Sequence, residues 1–192
     1  MSKVKLVFAV CSKDLFYAGD FHFGNKGGLP WGHVKEELAH FKKETKDTVL
    51  VMGSNTFLSL PGKLPGRTHA VLSHKGEQLI TKDGKSADIV FKGGNLSGTI
   101  DVLKNMYPEK DISIIGGKML IEEAIRFKLV DEIVVSYIVP RENAEIIESD
   151  VVITKETMNM EGYEMILNFS ETGKCIDNKN IAGFFVERLI KK

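Results

Sequence analysis

A chain of 192 residues with 43% hydrophobic content is long enough for one well-buried core and short for two independent ones, so a single domain is expected. Lysine plus arginine balances aspartate plus glutamate at 26 each, with no long run of one sign, which removes the electrostatic footprint of a nucleic-acid binder and points to a small ligand. Cys11 and Cys175 lie far apart, outside any C-x-x-C pair and without histidines at zinc spacing, so reduced thiols, no metal site and a cytoplasmic setting are expected.

Val4–Cys11 reads as the first strand; its apolar run is too short for a membrane span and the residues before it carry no signal-peptide pattern. A long irregular segment, Ser12–Gly28, leads to Leu29-Pro30-Trp31 and a helix near Val34–Thr45. Strands and helices then alternate: strand Thr48–Met52, a short helix from Ser54, strands Thr68–Ser73 and Asp88–Phe91, a helix near Thr99–Tyr107, strand Asp111–Ile115, helix Lys118–Phe127 and strand Glu132–Val139. Unbroken apolar runs such as Val49-Leu50-Val51-Met52 are those of parallel strands covered on both faces. His74–Ala87 is a second long irregular segment, and segments of such length tend to be lids or insertions. Pro140 to Asp150 is acidic and reads as a solvated loop, while Tyr163–Phe169 and Gly183–Ile190 read as an antiparallel hairpin joined by a polar stretch.

Within the first helix, Val34, Leu38 and Phe41 form an apolar stripe at i, i+4, i+7, and Glu37 falls on it, whereas Glu36, Lys35, Lys42 and Lys43 point away. An ionised, unpaired interior carboxylate costs several kcal/mol, so either Glu37 reaches water at the stripe edge or a cationic or amide-bearing ligand compensates it.

Gly53 ends one strand and Gly116-Gly117 another, each directly before a helix, so backbone N–H groups and a positive helix end are placed to face phosphate oxygens. Ser54, Asn55 and Thr56 add donors at the first turn. Two such turns in one sheet suggest a ligand with more than one phosphate, although G-x-G-x-x-G and the P-loop pattern are both absent. In Leu64-Pro65-Gly66-Arg67 the arginine is either a surface charge or a bidentate fork for a carboxylate. Ser73, His74 and Lys75 end a strand with a hydroxyl and cations that suit an extra phosphate or plain solvent. His22, His33, His40 and His69 have no partners at ligand spacing and read as surface or packing residues.

Leu29-Pro30-Trp31, Glu37-Leu38 and Phe41-Lys42 at helical spacing, Val51-Met52-Gly53 with Thr56, Leu64-Pro65-Gly66-Arg67 and Ile115-Gly116-Gly117 occur together, and the sequence resembles the dihydrofolate reductases over nearly its whole length. The resemblance implies a single-domain α/β fold with an eight-stranded, mostly parallel sheet, an antiparallel C-terminal strand and helices on both faces, with NADPH and folate meeting in a cleft. It implies that Glu37 grips the pteridine 2-amino group and N3, that Ser136 bonds that acid, and that Trp31 holds a nearby water and closes the pocket. Leu38 and Phe41 would pack on the pterin and benzoyl rings, Leu60 and Leu64 would line the far wall, and Arg67 would pair with the glutamate α-carboxylate. Ala9, Phe23 and Gly24 resemble positions near the nicotinamide. Gly53, Ser54, Asn55 and Thr56 fit the pyrophosphate turn, and Gly116-Gly117 a close-approach pair often tied to a cis bond. Ser73, His74 and Lys75 fit the 2′-phosphate site that favours NADPH.

The chain departs from the family in its longer Ser12–Gly28 segment, in Ile121 where some members carry Tyr, and in Ser54 where a basic residue is common. The implied reaction is hydride transfer from C4 of NADPH to C6 of dihydrofolate with a proton delivered to N5, giving tetrahydrofolate for one-carbon metabolism and thymidylate synthesis. A reductase acting on a ribosylamino-pyrimidine shares the fold, but Trp31, Glu37 and Arg67 together speak against it, as intact cofactor and substrate residues speak against a pure binding or assembly role. Monomer and homodimer stay open.

Overall fold

Apolar runs buried on both sides build most of the sheet. The structure, a computed structural model, describes residues 2–12, 19–74, 79–145, 147–167 and 172–192. In chain order the elements are β1 (Val4–Ser12), β2 (Phe21–Gly24), α1 (Lys35–Glu44), β3 (Val49–Gly53), α2 (Ser54–Ser59), β4 (Thr68–Ser73), β5 (Ile89–Lys92) and α3 (Leu96–Met106). There follow β6 (Ile112–Gly116), α4 (Lys118–Arg126), β7 (Glu132–Pro140), β8 (Val151–Ile153), α5 (Lys155–Met158), β9 (Tyr163–Leu167), β10 (Thr172–Lys174) and β11 (Ile181–Lys191). The chain divides into two compact units, Met1–Val7 with Thr45–Asp131, and Phe8–Glu44 with Glu132–Lys192.

In the first unit the hydrogen-bonded order is β1-β6-β3-β4-β5 and every neighbouring pair is parallel. Parallel direction puts the carboxyl ends of β3, β4 and β6, and so Gly53, Ser73 and Gly116, along one edge. Leu50, Met52, Phe57, Val71 and Leu79 form a buried cluster with Leu60, Leu64, Ala87 and Ile115 packed against it. Within the segment after β4 expected to be irregular, residues 75–78 lie outside the described residues and the remainder takes a regular form. Residues 79–87 form a tight hairpin with an Ile80–Ser86 bridge and Thr81 N–H donating to Lys85 O at 2.9 Å, and Lys82 N–H ties it to Leu60 O at 3.2 Å.

In the second unit the order is β10-β11-β7-β1, so β1 serves both units with its first and later residues. Of the eight strands expected, β1, β3 to β7 and β11 lie on these orders and β9 pairs with β11 beside them, whereas β2, β8 and β10 are additional strands among the described residues. β11 runs antiparallel to β7 from Ile181–Pro140 to Ile190–Glu132, and β9 pairs with it as the expected hairpin. The polar connection also holds β10. An added Cβ on Gly173 would come within 2.3 Å of the Phe184 ring and one on Gly183 within 2.2 Å of Gly173 O, so this close pairing requires both glycines.

Ser12–Gly28 is not irregular throughout, because β2 pairs antiparallel with β1 and with β8. The end of the acidic loop is tied down as well: Asp150 N–H donates to Gly24 O, its carboxylate accepts from Lys26 N–H, and Ser149 Oγ lies 2.8 Å from His22 Nδ1.

α1 meets its unit through a polar face. Glu37 and His40 are buried in line with Val34, His40 lies 6.1 Å from the Phe184 ring, and Glu44 is largely buried, whereas Leu38 and Phe41 are half-exposed. Glu36 is half-buried rather than solvated. Arg188 on β11 binds Glu44 at 2.8 Å and also Glu132, offsetting a carboxylate at the helix C-terminus, where the dipole disfavours it. Removing the guanidinium strands two shielded carboxylates. Arg188→Met is expected to lower stability by about 3 kcal/mol. Urea unfolding at neutral pH checks this, and an unchanged midpoint would contradict it.

Candidate active site

Each unit carries its own set of site residues. In the second, Glu37 lies in the first turn of α1 with 4% of its surface exposed and hydrogen bonds Ser136 of β7, itself 3% exposed. Burial pushes the Glu37 carboxyl from its ordinary 4.5 up to about 7, against the opposing pull of Ser136. Among the described residues no cation pairs with it. The opening turn of the helix eases the charge slightly through the dipole, which is small beside the burial. Trp31 is buried at 4% exposure, and its Nε1–H has no hydrogen-bond partner among the described residues, so the indole offers a donor in a shielded place. Leu38 and Phe41, half-exposed on the same helix, add apolar surface.

Nothing in the sequence points to the residue that holds Trp31. Asn178, far along the chain in the turn between β10 and β11, donates from Nδ2 to Trp31 O at 2.9 Å and to His33 O at 3.1 Å. Its single amide thereby ties down the turn leading into α1. A lone asparagine in a polar stretch carries no such signal in sequence, because both partners are more than a hundred residues away. Ala9, Phe23 and Gly24 are half-buried in β1 and β2, and a Cβ on Gly24 would meet Val151 Cβ at 3.3 Å, so β8 itself accounts for that glycine.

The first unit brings its glycine turns together. α2 and α4 begin on Gly53 and Gly117 with no side-chain cap hydrogen bond, in contrast to α3 and α5, whose first turns are capped by Asn95 and Thr154. Their first-turn N–H groups are therefore not satisfied by a capping side chain. A Cβ on Gly53 would lie 3.7 Å from Gly117 N, and one on Gly117 would lie 3.2 Å from Thr56 Oγ1. Gly116 has φ 127°, a conformation L side chains rarely adopt, and the Gly116-Gly117 peptide is cis. Two adjacent turns with backbone donors, the second with little room for a side chain at Gly117, fit paired phosphates.

Along the same edge Ser54 and Thr56 are half-buried and Asn55 is exposed; Ser73 is buried at the end of β4 and His74 is exposed. Lys75 lies outside the described residues. Leu60 and Leu64 pack on the unit's core with part of their surface open. Arg67 donates from Nε to Thr45 O at 2.9 Å and from Nη1 to Pro65 O at 3.3 Å; partial burial lowers its pKa, and Asp47 nearby offsets part of that. Those bonds fix the guanidinium plane. Among the described residues no group of three or more His, Cys, Asp or Glu could hold a metal ion, and no helix is long and apolar enough to cross a membrane.

Comparison with known proteins agrees with this geometry. Residues 16–176 match the family model described as dihydrofolate reductase. The chain is 36% identical over 115 residues to a dihydrofolate reductase of Mycoplasma genitalium, covering 60% of this chain and 68% of that one. It is likewise 36% identical over 104 residues to dihydrofolate reductase type A10 of Escherichia coli, covering 54% and 52%. Among solved structures, the dihydrofolate reductase of Enterococcus faecalis complexed with NADP(H) and RAB-propyl superposes with a TM-score of 0.70 over 99% of this chain and 96% of that chain, at 20% identity. This chain belongs to the dihydrofolate reductase family.

Proposed function

We infer that the protein reduces 7,8-dihydrofolate to 5,6,7,8-tetrahydrofolate with NADPH. The observation that carries this reading is Glu37, a buried carboxylate whose support among the described residues is one hydroxyl. A pteridine presents its 2-amino group and N3–H side by side, two donors that match the two oxygens of a carboxylate and restore the solvation lost on burial. Ser136 holds the carboxylate plane in position for that edge. In the second unit Leu38 and Phe41 offer apolar contact for the pterin and benzoyl rings; in the first, Leu60 and Leu64 offer apolar surface and Arg67 a pre-oriented fork that suits the glutamate α-carboxylate.

The two uncapped glycine turns, with Asn55 and Thr56, fit the pyrophosphate of NADPH, Ser73 and His74 fit its 2′-phosphate, and Ala9, Phe23 and Gly24 fit the neighbourhood of the nicotinamide. When bound, NADPH supplies the hydride. The protein's own part in the chemistry is alignment, exclusion of water and the handling of one proton. Glu37 favours protonation at N5 through its negative charge while remaining on the far side of the ring, and the unpartnered Trp31 Nε1–H fits an ordered water that carries the proton. Mixing the protein with NADPH and dihydrofolate tests the reading directly: the NADPH absorbance band is expected to decay, faster than with NADH, and a band that persists despite folate binding would reject turnover.

Glu37→Gln is expected to lower turnover by about a hundredfold near neutral pH and by less in acid, where dihydrofolate arrives already protonated. A pH-rate profile equal to that of the unaltered protein would remove Glu37 from the reaction. The same substitution has a stability consequence of opposite sign. The folded carboxyl keeps its proton up to about 7 whereas the unfolded one loses it near 4.5, so ionisation of Glu37 destabilises the fold progressively across that interval and fully above it. Glu37→Gln without ligand is therefore expected to be more stable by up to about 3 kcal/mol near pH 8, with the advantage fading toward about pH 4. Denaturant unfolding at both pH values reads it. Arg67→Leu is expected to raise the KM for dihydrofolate roughly tenfold to a hundredfold with a much smaller change in kcat, because its contact is remote from the reacting atoms. An unchanged KM would exclude that contact.

A further inference from the structure

We propose that His69 is a positioning residue for the glutamate end of the substrate, acting through the Leu64-Pro65-Gly66-Arg67 turn. Its side chain is fully buried on β4, and Leu64 N–H donates to its Nε2 at 3.0 Å. An accepting Nε2 leaves the neutral ring's proton on Nδ1, which faces Asp88 Oδ2 at 3.4 Å. Asp88 is itself fixed to the same residue, since its carboxylate accepts His69 N–H at 2.8 Å and its own N–H donates to His69 O at 3.0 Å. The other oxygen of Asp88 binds the Lys63 ammonium.

Adjacent residues of the turn are thus clamped at two points. Lys63 is held by a charge and Leu64 by an imidazole, and both holds converge on one aspartate. From α2 the neighbour of the ring is Phe57, which carries no charge; the charged groups facing His69 are Asp88, Lys63 and Arg67. Burial and the two cations lower the His69 pKa more than Asp88 raises it, keeping Nε2 an acceptor. Releasing Leu64 N–H would free the turn that carries Arg67 and the exposed part of Leu64, without touching Glu37 or the glycine turns. The turn serves the glutamate-bearing end of the ligand, so His69 governs preference for substrates that have that tail.

The proposal rests on the reductase reading, and the experiment separates the two. Steady-state kinetics with dihydrofolate and with dihydropteroate, which keeps the pterin and aminobenzoyl groups but lacks glutamate, are compared for the unaltered protein, His69→Ala, His69→Asn and His69→Gln, with folate dissociation constants measured by calorimetry. Glutamine places an acceptor where Nε2 stands, whereas asparagine reaches only the Nδ1 position. Expected is a rise of about tenfold in KM and dissociation constant for the glutamate-bearing ligands in His69→Ala and His69→Asn, with a rise of no more than about twofold in KM for dihydropteroate, which meets Leu64 but brings no carboxylate to Arg67, and recovery in His69→Gln. Equal effects on both substrates, or His69→Gln no better than His69→Asn, would overturn the role of His69 while leaving the reductase intact. Should the alanine variant fail to fold, the glutamine and asparagine pair, closer in volume to histidine, decides by the same criterion. An unaltered protein that consumes NADPH with neither substrate would reject the reductase reading, and the His69 role with it.

Discussion

A carboxylate packed against a strand sets the conditions under which the second unit holds together. α1 turns toward its neighbours a face made of Val34, Glu37, His40 and Glu44, of which only the first is apolar. Ordinary amphipathic helices dock through their oily stripe. This one docks through polar partners: Ser136 for Glu37, the ring of Phe184 beside His40, and Arg188 for Glu44. Because docking uses the polar face, Leu38 and Phe41 stay half-exposed with apolar surface open. The proposed substrate contacts and the attachment of the helix therefore fall on adjacent sides of α1.

The first unit reaches its function by another route. Parallel strands deliver every carboxyl end to one edge, and two of those ends carry glycines that start helices without capping side chains. A capped helix satisfies its own donors; an uncapped one leaves them for phosphate oxygens. Beneath this edge the Leu50–Phe57–Val71 cluster supports Leu60, Leu64 and Ile115, so the two leucines and the strand end before Gly116 share a single core.

Much of this is legible in sequence where the signal is local. Periodicity sets Glu37 on a stripe with Val34, Leu38 and Phe41 and leaves open that it reaches water, whereas the buried face is Val34, Glu37 and His40; strand patterns give the parallel core, and glycines directly after strands mark both turns. The residues that resemble the family add Ser136, whose hydroxyl on an otherwise apolar strand signals nothing by itself. The unread parts all depend on distant partners. β2 reads as irregular because it is held by β1 and β8 rather than by its own alternation, and His22 meets Ser149 across 127 residues of chain. His69 reads as simple packing, since neither Leu64 N–H nor Asp88 announces itself as its partner. Leu38 and Phe41 look like core because a polar docking face is invisible until Arg188 and Ser136 are in place.

The raised pKa of Glu37 ties the protein's survival to its ligands. Above neutrality the empty fold carries an ionised carboxylate that its unfolded chain would leave in water, whereas any molecule that pairs with that group relieves the cost and adds its own binding energy to the folded side. Wherever unfolded copies are cleared, a group that fills the lone pairs of this carboxylate would slow that clearance. One interior acid thus makes the lifetime of the fold depend on what is bound beside it.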